Sequence, residues 1–388
     1  MAFRRYRTSV LCLIIVLLSV PVAGAVEPVR KLIATQGKGY LETVNGYRVL
    51  HLKGTPDEMG YQHGVLLKEA IHTNVNFLLG APDSRETIEF RGVQVPRSAV
   101  AGMLSSAFAG KIPQRFVDEM KALARGAEMP EWKIVGTNLI PELMHCSGFA
   151  LLKEATAEGK LYHGRVLDYG VDMQFQDHAV LIIQEPDGGI PFVNVSYAGF
   201  IGSVTGMNMR QVSIGEMGGG GVGQWDGIPM AFLVRMVLSD AKSLDEAIAV
   251  FENNKRTCEY YYVIADAKTN SAVGIKAVPE KVEIIRPGEH HELLPHPVKN
   301  TVLMSADERY RNLSRFVAEG YGKFTQETAI RLMDAPVAMR SNLHNALMVP
   351  EDGIIHVANA DAQGNPAWKQ KYHRFDIRKL IAVRPDGQ

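Results

Sequence analysis

Met144-His145-Cys146-Ser147-Gly148-Phe149-Ala150, followed downstream by Gly164-Arg165-Val166-Leu167-Asp168-Tyr169, sets a thiol, a guanidinium and a carboxylate in an order that points to a reactive cysteine in this 388-residue chain. A thiol with a free pKa of roughly 8.5 is mostly protonated at neutral pH, and a nearby cation favours the nucleophilic thiolate. Arg165 is the candidate cation, and Asp168 the candidate carboxylate that orients a partner group. The competing reading is a buried structural thiol followed by a surface ion pair. Arg165 and Asp168 are three residues apart and project from opposite faces of an ideal strand. Both reach one site only if the strand ends or bends between them.

Downstream of Cys146 the chain breaks into short alternating segments that read as strands: 161–167, 179–184, 192–197, 211–216 and 259–265. Turn residues such as Glu185-Pro186-Asp187-Gly188-Gly189 separate them, and hairpin-length connections favour antiparallel pairing. Ser243-Leu244-Asp245-Glu246 and Ser305-Ala306-Asp307-Glu308 read as capping boxes, and a further helix follows Thr325. The chain returns to strands at 354–358 and 372–377. Upstream, Thr55-Pro56-Asp57-Glu58 is a capping box with Pro at the first helical position. It predicts a helix from Pro56 to about Ile71, with Met59, His63, Leu66 and Ala70 on one face. A second helix spans Pro113 to Arg125, ahead of Gly126 and Pro130. Strands grouped with separate helices give an α+β class, and no repeat or linker divides residues 26–388, which read as one domain.

Residues 1–25 read as a secretory signal peptide: Arg4, Arg5 and Arg7, an apolar run from Val10 to Val20, then Ala23-Gly24-Ala25. The alternative is an uncleaved membrane anchor. The expected location is periplasmic or extracellular. Lys plus Arg and Asp plus Glu both number 42, so no global field draws the chain to nucleic acid or anionic lipid, and a small-molecule substrate fits better. Cys146 and Cys258 remain after signal removal, and one disulfide between them competes with catalysis.

In order along the chain, several motifs together resemble the acyltransferase and amidohydrolase branch of the N-terminal nucleophile hydrolases, typified by isopenicillin N acyltransferase and peptidase family C45. They are the run from His51 to Gly64, Cys146-Ser147, Gly164-Arg165-Val166-Leu167-Asp168, Gly206-Met207-Asn208, Gly227-Ile228-Pro229 with Arg235, Ala265-Asp266, and Arg309-Tyr310. The resemblance implies a four-layer αββα sandwich of two antiparallel sheets. It implies a precursor that cuts itself between His145 and Cys146, leaving fragments 26–145 and 146–388 associated. The freed α-amine, with a pKa of roughly 7.7 to 8, then acts as the base for its own thiol. Cys146 attacks an amide carbonyl and forms a thioester that water or an amine resolves.

By the same resemblance Asp168 orients the amine, Arg165 lies beside the thiolate, and Asn300 is the positional match for the oxyanion donor. Glu216 falls where relatives place an Asn or Glu, with its side chain near the amine and its backbone N–H toward the oxyanion. Asn208 reads as a turn residue, and Arg340 as a surface one. No cofactor or metal is expected, and self-association is left open. Gly218-Gly219-Gly220-Gly221-Val222-Gly223 lacks a Gly-Lys-Ser/Thr and reads as a flexible loop at the site, while Glu289-His290-His291-Glu292 lacks HExxH spacing and reads as a turn. Two other functions stay open here. One is a papain-like pair of Cys146 with His163 or His344, and the other is a secreted binding protein without chemistry.

Overall fold

The computed structural model describes residues 27–80, 87–90, 93–140, 146–220 and 224–386. The expected signal segment, His145 and the end of the glycine run lie outside them. Upstream of the nucleophile come β1 (Arg30–Gln36), β2 (Gly39–Val44), β3 (Tyr47–Gly54), α1 (Pro56–Leu66), α2 (Lys68–Leu79), β4 (Thr87–Phe90), β5 (Val93–Pro96), α3 (Arg97–Ala107), α4 (Gln114–Ala127) and α5 (Glu131–Leu139). Cys146 opens β6 (Cys146–Leu151), followed by β7 (Tyr162–Leu167), β8 (Ala179–Pro186), β9 (Phe192–Tyr197), β10 (Thr205–Asn208) and β11 (Val212–Gly220). Next are α6 (Met230–Asp240), α7 (Leu244–Asn253), β12 (Glu259–Asp266), β13 (Ser271–Ala277), β14 (Val282–Ile285) and β15 (Thr301–Met304). Last come α8 (Asp307–Gly320), α9 (Gln326–Ile330), β16 (His344–Val349), β17 (Ile354–Asn359), β18 (His373–Asp376) and α10 (Ile377–Ala382).

The strands form two facing sheets. One has ten strands in the order β1-β2-β3-β8-β9-β10-β11-β12-β13-β14, the other six in the order β15-β6-β7-β16-β17-β18. Helices α1, α6 and α7 pack on the outer face of the larger sheet, and α8 and α9 on that of the smaller, which gives the expected αββα layering. Between the sheets, Val49, Leu181, Ile183, Val193 and Val195 meet Ala346, Met348, Ile355 and Val357. Strands β6 to β9 have helices or the other sheet on both faces, and β6, β7 and β9 are buried throughout.

Several expectations need correction. The sheets are antiparallel except where β3 lies parallel to β8, a pairing that the long connection between them permits. The helix expected from Pro56 to Ile71 breaks at Leu67, whose φ of −120° lies outside the helical range, so α1 and α2 are separate. Thr55 caps α1 with its reciprocal partner Glu58, and Ser243 and Thr325 accept from the N–H groups of Glu246 and Thr328. Ser305 does not cap α8. Its N-cap is Ala306, which makes no side-chain cap bond. Gly218, Gly219 and Gly220 end strand β11 and do not form a loop. No helix among the described residues is long and apolar enough to cross a membrane.

Candidate active site

Cys146 is the first residue of β6 and pairs with Leu167 at the last position of β7. Arg165, opposite Gly148, lies two residues before Leu167, so the pleat puts Cys146 and Arg165 on the same face. The geometry follows from that register. Arg165 Nη2 donates to Cys146 Sγ at 2.9 Å and to Glu216 Oε2 at 3.2 Å, while Arg165 Nε donates to the Glu216 carbonyl at 3.1 Å. The thiol in turn faces Glu216 Oε2 at 3.7 Å. Arg165 and Glu216 are both fully buried and Cys146 nearly so. Arg165 Nη1 is buried with no hydrogen-bond partner among the described residues.

Electrostatics in the uncut chain run against a resting thiolate. Burial raises the Cys146 thiol well above its usual range, Arg165 pulls it down, and Glu216 and Asp168 push it further up. The Asp168 backbone N–H, donating toward the sulfur, lowers it. Burial also pushes the Glu216 carboxyl up to about 7, against the pull of Arg165 and the Gly218 N–H. A protonated thiol therefore sits beside a carboxyl that exchanges its proton near neutrality.

Asp168 follows the end of β7, which is how the opposite-face conflict is resolved. Its Oδ1 accepts from the Met339 N–H at 3.1 Å, and its Oδ2 from Arg309 Nη1 at 2.9 Å. Burial raises the Asp168 carboxyl, while the Met339 N–H, Arg309 and Arg165 lower it. Arg309 Nη1 also donates to Ser147 Oγ at 3.2 Å, and Ser147 Oγ shares a 2.6 Å hydrogen bond with Ser305 Oγ. The sequence singled out Arg309 without a role. The signal that could have supplied one is Ser305, which follows β15 and meets Ser147, the nucleophile's neighbour, across the strand pair.

A cavity of about 300 Å³ opens on Cys146. Its apolar wall comes from Met217, Tyr261, Leu293, Leu294 and Met304, and its polar wall from Glu259, His291, Ser305, Asp307 and Arg309. Bare backbone at Gly218, Gly219 and Gly220 forms the remaining side. A Cβ at Gly219 would overlap the Glu259 carbonyl, so the strand needs glycine there. None of Tyr261, Leu293 or Met304 carries a sequence signal that marks it for this wall.

Other candidates fall elsewhere. Asn300 precedes β15, which runs antiparallel to β6 with Thr301 opposite Leu151 and Met304 opposite Gly148. That register leaves Asn300 at the far end of the pair, roughly 20 Å from Cys146 at about 3.4 Å per residue, where it bonds Glu154 and Tyr321. It therefore cannot donate to an oxyanion at the thiol. The Glu216 backbone N–H is also taken, by the Val204 carbonyl at 3.0 Å, so only the side chain of Glu216 serves the site.

His163 sits opposite Ala150, bonded through Nδ1 to Ser213, and burial pulls it down to about 3. His344, two strands from Cys146, is held between Tyr197 and Thr205 and lies well below its usual range. Neither histidine contacts the thiol, which removes the geometric basis for a Cys–His pair. Cys146 and Cys258 are not joined by a disulfide. Asn208 accepts from the Arg210 and Val212 N–H groups and so closes a turn, His291 pairs with Glu283 at 3.1 Å, and Arg340 is exposed.

The family model described as acyl-coenzyme A:6-aminopenicillanic acid acyl-transferase matches residues 155–343. That match takes in Arg165, Asp168, Glu216 and Arg309 and begins downstream of Cys146. Protein dcd1B of Dictyostelium discoideum is 26% identical, over 92% of this chain and 80% of that protein. The acid ceramidase of Pan troglodytes is 27% identical, over 44% of this chain and 48% of its own length. The chain thus spans about half the length of that relative. Among solved structures, a Caenorhabditis elegans N-acylethanolamine-hydrolyzing acid amidase ortholog aligns with a TM-score of 0.43 and 17% identity, over 53% of this chain and 93% of that one.

Proposed function

We propose that this chain, whose residues 155–343 match the acyl-coenzyme A:6-aminopenicillanic acid acyl-transferase family model, is a self-processing, exported cysteine amidohydrolase or acyltransferase with Cys146 as its nucleophile. The observation that carries the reading is Arg165 Nη2 at 2.9 Å from Cys146 Sγ, with the Glu216 carboxyl bonded to that same nitrogen and 3.7 Å from the sulfur, beside a cavity that Cys146 lines.

In the precursor, Glu216 accepts the thiol proton and the sulfur attacks the His145 carbonyl carbon. The C–N bond breaks, the nitrogen takes a proton and becomes the α-amine of Cys146, and a thioester links His145 to Sγ. Water hydrolyses that thioester, leaving a carboxylate on His145 and a free thiol. The mature amine then takes the thiol proton when a substrate amide is attacked, and returns it to the leaving amine. Asp168 orients the amine from the end of β7. With Asn300 out of reach, we assign the oxyanion to Arg165 Nη1, a buried donor with no hydrogen-bond partner among the described residues; each lost donor typically costs about a hundredfold or more in rate. The apolar wall of Met217, Tyr261, Leu293 and Met304 receives the acyl group.

Intact-mass analysis of the purified protein tests this reading. Two fragments meeting at His145 and Cys146, replaced by a single species in Cys146→Ala, are expected. A single full-length species that still turns over an amide, and loses that activity on replacement of a histidine, would overturn it.

A further inference from the structure

We propose that His291 sets the acyl selectivity of this site: its neutral ring pins Leu293 at the cavity wall, and protonation of the ring releases that wall. The proposal deepens the amidase reading of Cys146 and rests on it. His291 belongs to Glu289-His290-His291-Glu292, a run that the chemistry at Cys146 leaves unused. Residues His291 to Leu294 form a turn between β14 and β15, closed by the Leu294 N–H donating to the His291 carbonyl at 2.8 Å. The turn brings Leu293 and Leu294 to the cavity. Leu294 is buried, whereas Leu293 stays 51% exposed, which leaves apolar surface there for a ligand to cover.

The hydrogen bonds fix the state of the ring. The Leu293 N–H donates to His291 Nδ1 at 3.2 Å, and an N–H can only donate, so Nδ1 carries no proton. Nε2 therefore holds the ring hydrogen and donates it to Glu283 Oε1 at 3.1 Å. An imidazolium carries an N–H at both nitrogens. It keeps its bond to Glu283, now charge-assisted, but sets a second donor against the Leu293 N–H, and that contact must open. The ends of the loop are tied without the ring. The Gly288 N–H donates to the Thr301 carbonyl at 2.9 Å, the His296 N–H to the Tyr310 hydroxyl at 2.9 Å, and the Ser314 hydroxyl to the His296 carbonyl at 2.6 Å. Protonation thus frees the turn that carries Leu293 and leaves the loop seated.

The charges around the ring bear on that proton. On β14, Glu283 touches the ring, and Lys281 pairs with Glu283 at 3.4 Å. Burial pushes the Glu283 carboxyl up, but Lys281 and His291 together hold it below its usual range, so an anion waits at Nε2. Glu289, His290 and Glu292 are exposed neighbours along the loop. The cavity adds Glu259 and Tyr261 from β12, with Lys276 from β13 paired to Glu259 at 3.7 Å, and Asp307 and Arg309 from α8, Arg309 being committed to Asp168. Histidine is the side chain that ordinarily changes charge between about pH 5 and 8.

The test measures kcat and KM for decanoyl and butanoyl p-nitroanilides on the full chain across that range. Titration of Cys146, Asp168 and Glu216 affects both substrates alike and cancels in the long-to-short ratio of kcat/KM. In wild type this ratio should fall roughly tenfold on acidification, through KM. Covering a whole leucine is worth roughly 10- to 100-fold, and half of Leu293 is already covered. His291→Asn keeps an oxygen that accepts from the N–H two residues on and does not titrate, so its ratio should stay high and flat. His291→Ala and Leu293→Ala should give low, flat ratios. Decanoyl anilide binding to Cys146→Ala, measured by calorimetry, should weaken by the same factor over the same range.

A wild-type ratio that ignores pH, or one that still follows pH in His291→Asn, overturns the proposal and leaves the amidase reading standing. Binding that follows pH through His291, in a protein whose wild type hydrolyses no amide, keeps the role of His291 and sinks the amidase reading instead. If His291→Asn does not fold, Leu293→Ala decides, because a ratio that still follows pH without Leu293 overturns the proposal.

Discussion

Glu216 departs furthest from what its residue type does in water, and the departure has a measurable sign. Burial lifts its carboxyl from the usual 4.5 to about 7. The folded chain therefore binds this proton more tightly than the unfolded chain does. The stabilisation this gives is complete below about pH 4.3, the unfolded value, and is lost as pH rises through about 7. Glu216→Gln fixes the neutral state. Its melting temperature relative to the parent, measured by calorimetry in a Cys146→Ala background that cannot cut itself, should climb between about pH 4 and 8. A flat difference would mean that the Glu216 carboxyl is unshifted on folding, and a falling one that folding favours its ionised form. Cys146, Arg165 and Asp168 were legible from order and spacing, because two adjacent strands in register bring them together. Asn300 misled for the same reason. Order along the chain placed it downstream at a plausible interval, but only the direction and register of β15 decide which end of β6 it meets. Arg309 stands in a motif along the chain, but its contact with Asp168 depends on how α8 meets the end of β7, which no local pattern announces.

At the scale of elements, what could be read was what side chains announce locally. Thr55, Ser243 and Thr325 begin helices where their hydroxyls reach the N–H three residues on. The break at Leu67 carries no Gly or Pro, and the glycine end of β11 reads as a loop until Glu259 is seen to leave no room for a Cβ. The packing of α1 on α4 belongs to the same class of hidden information. A Cβ at Gly60 would strike the Glu119 carbonyl, one at Gly64 the Leu123 carbonyl, and one at Gly126 the Tyr61 carbonyl, so the two backbones touch. These atoms are main chain and cannot swing aside. Gly64→Ala gains up to about 1 kcal/mol in helix propensity, yet overpacking a tight contact costs ~1–3 kcal/mol. The expected outcome is a lower urea midpoint with an unchanged slope. A midpoint that rises would show that α1 and α4 can part without loss. Because His63 on α1 accepts from the Gly199 N–H, loosening this pair also loosens the turn between β9 and β10 that carries Val204, the partner of Glu216.

For the whole molecule, the question is what would hold 26–145 to 146–388 if the proposed cut between them is made. Three strands upstream of Cys146 sit in the larger sheet, joined to the rest through the parallel pairing of β3 with β8. Buried polar bonds add to that seam: Asn138 reaches the backbone of Gly199, Ile201 and Gly202, and Asn74 that of Ala198. Its centre is an ion pair. Arg235 Nη2 meets Glu119 Oε2 at 2.9 Å, Arg235 Nη1 binds the Ile201 carbonyl at 2.6 Å, and Gln184 donates to Glu119 at 3.1 Å. Both side chains of the pair are almost wholly buried, with Glu119 upstream of Cys146 and Arg235 downstream of it. Removing one partner strands the other charge and typically costs about 3–5 kcal/mol, whereas replacing both with apolar groups of similar size is often neutral or better. In the cut enzyme, Glu119→Gln should therefore release the 26–145 fragment at a lower urea concentration than wild type, as followed by size-exclusion chromatography. Glu119→Leu combined with Arg235→Met should recover much of the difference. Wild-type fragments that separate on simple dilution in buffer would refute the idea that this seam holds the cut chain together. If they hold, the attraction comes from a sheet and core that do not depend on the bond before Cys146, so the proposed cut would free the nucleophile's amine without loosening the scaffold that positions it.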